Sequence, residues 1–174
     1  MERTLDELRA SIPAPARDMA LNLQNVLAPG GALDTNQRYE VALACALTTQ
    51  HPELIAAMRA EASAAVPEGV IEDARAAAAL MAMNNVYYRF RHMVGKSSYE
   101  QRPARLRMTR MAKLSSSKAD FELTCLAVSA INGCEACVRS HEAAVLSQGL
   151  TEEHVHDAVR IAATIRGVAV ALGV

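Results

Sequence analysis

Apolar and small residues fill this chain in long alanine- and leucine-rich blocks, without the Val/Ile/Thr alternation that marks a strand. The pattern predicts helix almost everywhere. Thr4-Leu5-Asp6-Glu7 reads as a capping box that opens a short first helix, and Ile12-Pro13-Ala14-Pro15 ends it. A second helix is expected from about Ala16 to Leu27, followed by a loop at Pro29-Gly30-Gly31. Asp34 or Thr35 caps the next, which carries Tyr39, Ala42, Leu43, Ala46 and Leu47 on one side. Pro52 suits the first turn of a following helix, and Pro67 opens a long one ending near Val94-Gly95.

The polar stretch Gly95 to Pro103 reads as a loop, Leu106 to Leu114 as a short helix, and Ser115 to Ser117 as a break. A helix from about Lys118 to Ile131 then runs into a stop at Asn132-Gly133. Cys134 to Gln148 begins another, Gly149 ends it, and Thr151-Glu152-Glu153-His154 starts the last with acids at the positive end of its dipole. The expected fold is therefore all-α, a single helical domain over residues 1–174. A faint internal echo spans about 34–90 and 118–172, as a helical pseudo-repeat in which Glu40 would match Glu122. Pro52 and Ile55 fall where the second copy has Cys134 and Cys137, so only one half would carry chemistry.

Composition narrows the partners. At 174 residues and 51% hydrophobic, the chain can bury a sizeable core. A net charge of −1 gives no electrostatic footprint for nucleic acid or an acidic membrane, and 3% aromatics offers few platforms for stacking bases. No apolar run reaches a membrane span. Met1 to Ala10 is charged and amphipathic, unlike the apolar centre of a signal peptide. The chain reads as cytoplasmic, where thiols are kept reduced and disulfides are mostly transient and catalytic.

That compartment raises the interest of one segment. Cys134 and Cys137 are three residues apart at a helix start, His141 follows four residues later on the same face, and Glu122 lies on the preceding helix. A dithiol stores two electrons as a disulfide, and an imidazole with a carboxylate can move the protons involved. Backbone N–H groups at the helix start favour a thiolate at Cys134, which this argument makes the more acidic and more exposed thiol, with Cys137 one turn deeper. If the two helices fold back on each other around Asn132-Gly133, Glu122 reaches the thiols or His141, and burial would raise its pKa. Zinc is an alternative, with His141 or Cys125 completing a site, and plain core packing of both cysteines is another. Cys45 and Cys125 sit in apolar runs and read as core; Met81, Met83 and Met93 read as core fill; Arg102, Arg105, Arg107 and Arg110 read as a solvated basic face; His154 and His156 read as surface.

Glu122 through His141 matches Glu-x₁₁-Cys-x-x-Cys-x₃-His, a pattern that resembles the alkyl hydroperoxide reductase AhpD family within the carboxymuconolactone decarboxylase-like superfamily. Met83-Asn84-Asn85-Val86-Tyr87-Tyr88-Arg89 and Leu8-Arg9-Ala10-Ser11-Ile12-Pro13, followed by Leu21-Asn22-Leu23, resemble it too, so the likeness runs nearly the whole chain. The resemblance implies a helical homotrimer that reduces alkyl hydroperoxides and regenerates the peroxiredoxin AhpC by thiol–disulfide exchange. It implies no bound cofactor. Electrons would come from dihydrolipoamide on a lipoyl-bearing acyltransferase, supplied by NADH through dihydrolipoamide dehydrogenase. It also implies a redox disulfide between Cys134, as proton donor, and Cys137, as the thiol that becomes a sulfenic acid and pairs with the partner. Some members carry a histidine just before the second cysteine; here Ala136 stands there, and Glu135 beside it is expected to face solvent. A decarboxylase-like enzyme acting on a lactone acid and a zinc-binding interaction module are the two rival readings.

Overall fold

The computed structural model describes residues 3–173; Met1, Glu2 and Val174, which belong to the N-terminal segment and the domain span read above, lie outside them. Among the described residues there are helices and turns and no strand. In chain order, α1 spans Leu5–Ala10, α2 Arg17–Leu27, α3 Thr35–Thr49, α4 Pro52–Ala65, α5 Glu68–Val94, α6 Ser97–Glu100, α7 Lys118–Ile131, α8 Glu135–Ser147 and α9 Glu152–Ala171.

Two helices form the centre. α3 packs on α4, α5, α7 and α9, while α7 packs on α3, α5, α8 and α9. In α7 every residue from Phe121 to Ser129 is buried, so the middle of this helix has no solvent face. Its apolar members Phe121, Leu123, Leu126 and Val128 are fully enclosed, each contributing about 1.5–3 kcal/mol by leaving water. Its polar members Glu122, Thr124 and Ser129 must find partners inside the protein or remain unsatisfied. The one-sided stripe expected for α3 is corrected here: Glu40, Val41, Ala44 and Cys45 are as buried as Ala42 and Leu43, because neighbours cover the helix all round.

Caps set most boundaries. Thr4 and Glu7 form the expected capping box, and Asp34 forms another with Gln37. Pro52 is in the first turn of α4. Ser117 caps α7, accepting from the Asp120 N–H. At the other end Asn132 is the C-cap and Gly133 turns the chain with φ +66°, a conformation glycine adopts without the Cβ penalty.

The segment from 95 to 117 departs from expectation. Gly95 to Pro103 is not all loop, since Ser97–Glu100 forms the helical turn α6. Leu106 to Leu114 is not an α-helix; only a 3₁₀ turn at Thr109–Ala112 forms. Tertiary anchors hold this segment instead. Buried Asp73 of α5 accepts from Arg110 Nη2 at 2.6 Å, from the Ser115 and Ser116 N–H groups at 2.6 and 2.8 Å, and from Ser116 Oγ at 3.0 Å. Arg110 therefore leaves the solvated basic face to which its sequence neighbours assign it. Met93 is 77% exposed rather than core fill, whereas Met81 is buried. No helix of the described residues is long and apolar enough to cross a membrane.

Candidate active site

The site forms where α7 turns into α8. The Cys134 N–H donates to the Ser129 carbonyl at 3.1 Å, and the Cys134 carbonyl accepts from Val138 N–H at 2.9 Å. Cys134 is thus the N-cap of α8, and Cys137 occupies the third position of its first turn. Their sulfurs are joined in a disulfide with Cα atoms 5.3 Å apart, a normal span for such a bridge. The structure is the oxidised form of this pair.

The expected contrast in exposure between the two sulfurs is reversed. Cys134 is fully buried, and Cys137 is the one that lines a cavity. Cys134 caps the N-terminus of α8 and Cys137 lies in its first turn, so both sulfurs sit at the positive end of the helix dipole. Burial of Cys134 follows from its place in the corner beneath α5, which no local sequence pattern encodes.

Because α8 folds back on α7, residues at similar distances before and after the Asn132-Gly133 corner meet. His141 Nδ1 and Glu122 Oε2 lie 2.6 Å apart, with both side chains largely enclosed. A contact this close fixes the orientation of the imidazole ring. Glu122, His141 and Cys137 line one cavity of about 290 Å³, together with Met81, Asn84, Tyr88, Met108, Met111 and Ala144. The lining is mostly apolar, and Glu122, His141, Asn84 and Ser140 give it a polar part. Such a space suits a small molecule with an apolar body and a polar reactive end.

All four residues singled out from the sequence thus belong to one locus: three line the cavity, and Cys134 is bonded to one of those from behind. Glu135 is exposed and pairs with Arg139 at 2.8 Å and His92 at 3.6 Å, away from the sulfurs. Cys45 and Cys125 are free, fully buried thiols. Burial pushes both upward in pKa; for Cys125 the carboxylates of Glu122 and Glu40 add to the effect. His154 closes the cap of α9 through Thr151. Among the described residues no three His, Cys, Asp or Glu side chains converge as a metal's donors would.

Sequence reasoning left the surroundings unassigned. Asn84 donates from Nδ2 to Met108 Sδ at 3.0 Å, and its carbonyl oxygen is buried without a partner. Asn85 donates to Ser129 Oγ and accepts from Asn132 Nδ2, each at 2.9 Å. The Met-Asn-Asn block was visible in the sequence, but its two amides act on residues far away in the chain.

Comparison with known proteins points the same way. Residues 98–174 match the carboxymuconolactone decarboxylase family. The chain is 60% identical over 169 residues to an alkyl hydroperoxide reductase AhpD from Anaeromyxobacter sp. (strain K), covering 97% of this chain and 90% of that protein. An AhpD from Rhodopseudomonas palustris (strain BisB18) is 46% identical over 169 residues, with 97% and 93% covered. One from Solibacter usitatus (strain Ellin6076) is 45% identical over 170 residues, with 98% and 96% covered.

Proposed function

The chain belongs to the alkyl hydroperoxide reductase AhpD family, and from that membership we propose that it is an antioxidant thiol–disulfide oxidoreductase that reduces alkyl hydroperoxides. The observation that carries this reading is the shared cavity of Cys137, Glu122 and His141, with Cys137 bridged to Cys134.

In the reduced enzyme the Glu122–His141 pair takes the Cys137 proton. The thiolate attacks the terminal peroxide oxygen, the O–O bond breaks, and its electron pair leaves with the alkoxide, which takes a proton to become the alcohol. Cys137 is now a sulfenic acid. The Cys134 sulfur attacks Cys137 sulfur, water leaves, and the Cys134–Cys137 disulfide forms. Dihydrolipoamide reduces it through a mixed disulfide and becomes lipoamide. The sum is one hydroperoxide and one dihydrolipoamide giving one alcohol, one water and one lipoamide.

The apolar walls of Met81, Met108 and Met111 support an alkyl group on the substrate. Exposure of Cys137 rather than Cys134 to the cavity supports Cys137 as the sulfur that meets peroxide, lipoyl arm or partner. By the same exchange the reduced dithiol would regenerate the peroxiredoxin AhpC, with a lipoyl-bearing acyltransferase, dihydrolipoamide dehydrogenase and NADH upstream. The proposed setting is the cytoplasm and the proposed working form a homotrimer.

The test is NADH oxidation with dihydrolipoamide dehydrogenase, lipoamide, this protein and an alkyl hydroperoxide. Turnover by the wild type and none by Cys137→Ser is the expected result. Wild-type protein without turnover, with or without added peroxiredoxin, overturns the reading.

A further inference from the structure

We infer that Asn85 is a positioning residue for the redox disulfide: it braces the α7–α8 corner that carries Cys134, and so sets the reduction potential of the Cys134–Cys137 pair.

Asn85 is 1% exposed, on the face of α5 that meets the end of α7. Its amide uses both ends. Nδ2 donates to Ser129 Oγ and Oδ1 accepts from Asn132 Nδ2, each at 2.9 Å. Asparagine supplies a donor and an acceptor from one planar group, which neither aspartate nor leucine does. One turn along α5, Arg89 Nη1 donates to the Asn132 carbonyl at 2.5 Å, satisfying a carbonyl that the helix end leaves without an intrahelical partner. Two residues of α5 therefore grip Ser129 in the last turn of α7 and Asn132, its C-cap. The gripped residues are the ones on which Cys134 hangs: its N–H donates to the Ser129 carbonyl, and Asn132 is separated from it only by Gly133.

The two sulfurs are held differently. Cys137 is inside α8, fixed by the helix. Cys134 is outside it, at the N-cap, after a glycine in a left-handed conformation, and α8 has no side-chain cap to fix that end. The position of the Cys134 sulfur relative to Cys137 then depends on the corner, and the corner depends on the grip from α5. A fixed corner keeps the reduced thiols close, which raises their effective concentration for bonding and favours the disulfide. Loosening the corner gives the dithiol more freedom and makes the disulfide easier to reduce.

The inference rests on the dithiol cycling proposed above, but its readout is the disulfide itself with no hydroperoxide present. A shifted potential without peroxide turnover would fail that reading and leave this one standing. The full chain and its Asn85→Ala variant are equilibrated with dithiothreitol redox buffers, and the dithiol fraction is read by alkylation and mass. The variant is expected to be reduced at a dithiol-to-disulfide ratio roughly three- to tenfold lower, which at about 30 mV per decade is about 15–30 mV. Melting temperature is expected to fall more in the oxidised than in the reduced form. An unmoved potential with equal loss of melting temperature in both forms overturns the inference and leaves Asn85 a structural core residue. If Asn85→Ala does not fold, Ser129→Ala removes only the acceptor of its Nδ2. A smaller shift in the same direction supports the brace, and an unmoved potential there overturns it.

Discussion

His141 Nδ1 and Glu122 Oε2 stand 2.6 Å apart across the turn from α7 to α8, and both open on the cavity that Cys137 lines. If this pair takes the Cys137 proton, Glu122→Gln keeps the side-chain shape but removes the carboxylate that meets His141 Nδ1. The expected loss in the rate of Cys137 oxidation at neutral pH is roughly 10- to 100-fold. It should shrink as pH rises and solvent itself deprotonates the thiol. Stopped-flow oxidation of the reduced protein across a pH series checks this. A loss that stays constant with pH would make Glu122 a residue that only shapes the cavity.

Single replacements of the two sulfurs separate their roles. With Cys134 fully buried and Cys137 on the cavity, Cys134→Ser should still react once with a hydroperoxide and leave a sulfenic acid on Cys137 that a dimedone-type reagent labels. It should also trap a mixed disulfide with a thiol donor. Cys137→Ser should do neither. Labelling of Cys134 in the Cys137→Ser protein, at a rate near that of Cys137, would reverse the assignment.

The parts of the fold that local chemistry dictates were readable from the chain. α7 has the boundaries expected of it because a serine cap and an Asn-Gly stop are local signals. The meeting of Glu122 and His141 was readable as a consequence of that stop, which turns the chain back on itself. The segment from Leu106 to Leu114, expected as a helix, forms only a 3₁₀ turn. What fixes it is a pair of anchors on α5, Asp73 and Asn84, far away in sequence. Burial of Cys134 and the double-ended amide of Asn85 were beyond reach for the same reason: each depends on α5 lying across the corner, a tertiary fact without a period or a cap to announce it.

Asp73 is the larger of those anchors. Its carboxylate accepts four hydrogen bonds from Arg110, Ser115 and Ser116, and so ties down the segment that brings Met108 and Met111 to the cavity wall. Asp73→Ala removes the acceptor of two backbone N–H groups and one arm of the Arg110 guanidinium, whose other arm keeps the Lys113 carbonyl, at an expected cost of roughly 1–3 kcal/mol in urea unfolding. Asp73→Asn, which keeps the volume and one acceptor, should lose less. In the folded Asn variant the Michaelis constant for an alkyl hydroperoxide should rise more than the turnover number falls, because the apolar wall moves and the Glu122–His141 pair does not. Equal changes in both constants would mean that the segment does not shape the substrate cavity.

Glu40 gives the clearest dependence of stability on pH. It is 1% exposed in the central helix α3, and neither carboxyl oxygen has a hydrogen-bond partner. Burial pushes its pKa from 4.5 up to about 8; the Asp73 and Asp120 carboxylates add to this, while the nearby Thr124 and Ser116 hydroxyls temper it. Between those two values the folded chain keeps a proton that the unfolded chain has released. Stability therefore falls as pH rises through that window, by about 1.4 kcal/mol per pH unit from this group alone, and the loss levels off above the folded value. Glu40→Gln cannot ionise, so its stability should be flatter with pH. Relative to wild type it should gain most on the alkaline side, and the difference should close towards pH 5. Urea unfolding of oxidised wild type and variant at pH 5, 7 and 8.5 measures this. Parallel pH profiles for the two proteins would mean that Glu40 ionises within the fold as readily as in water.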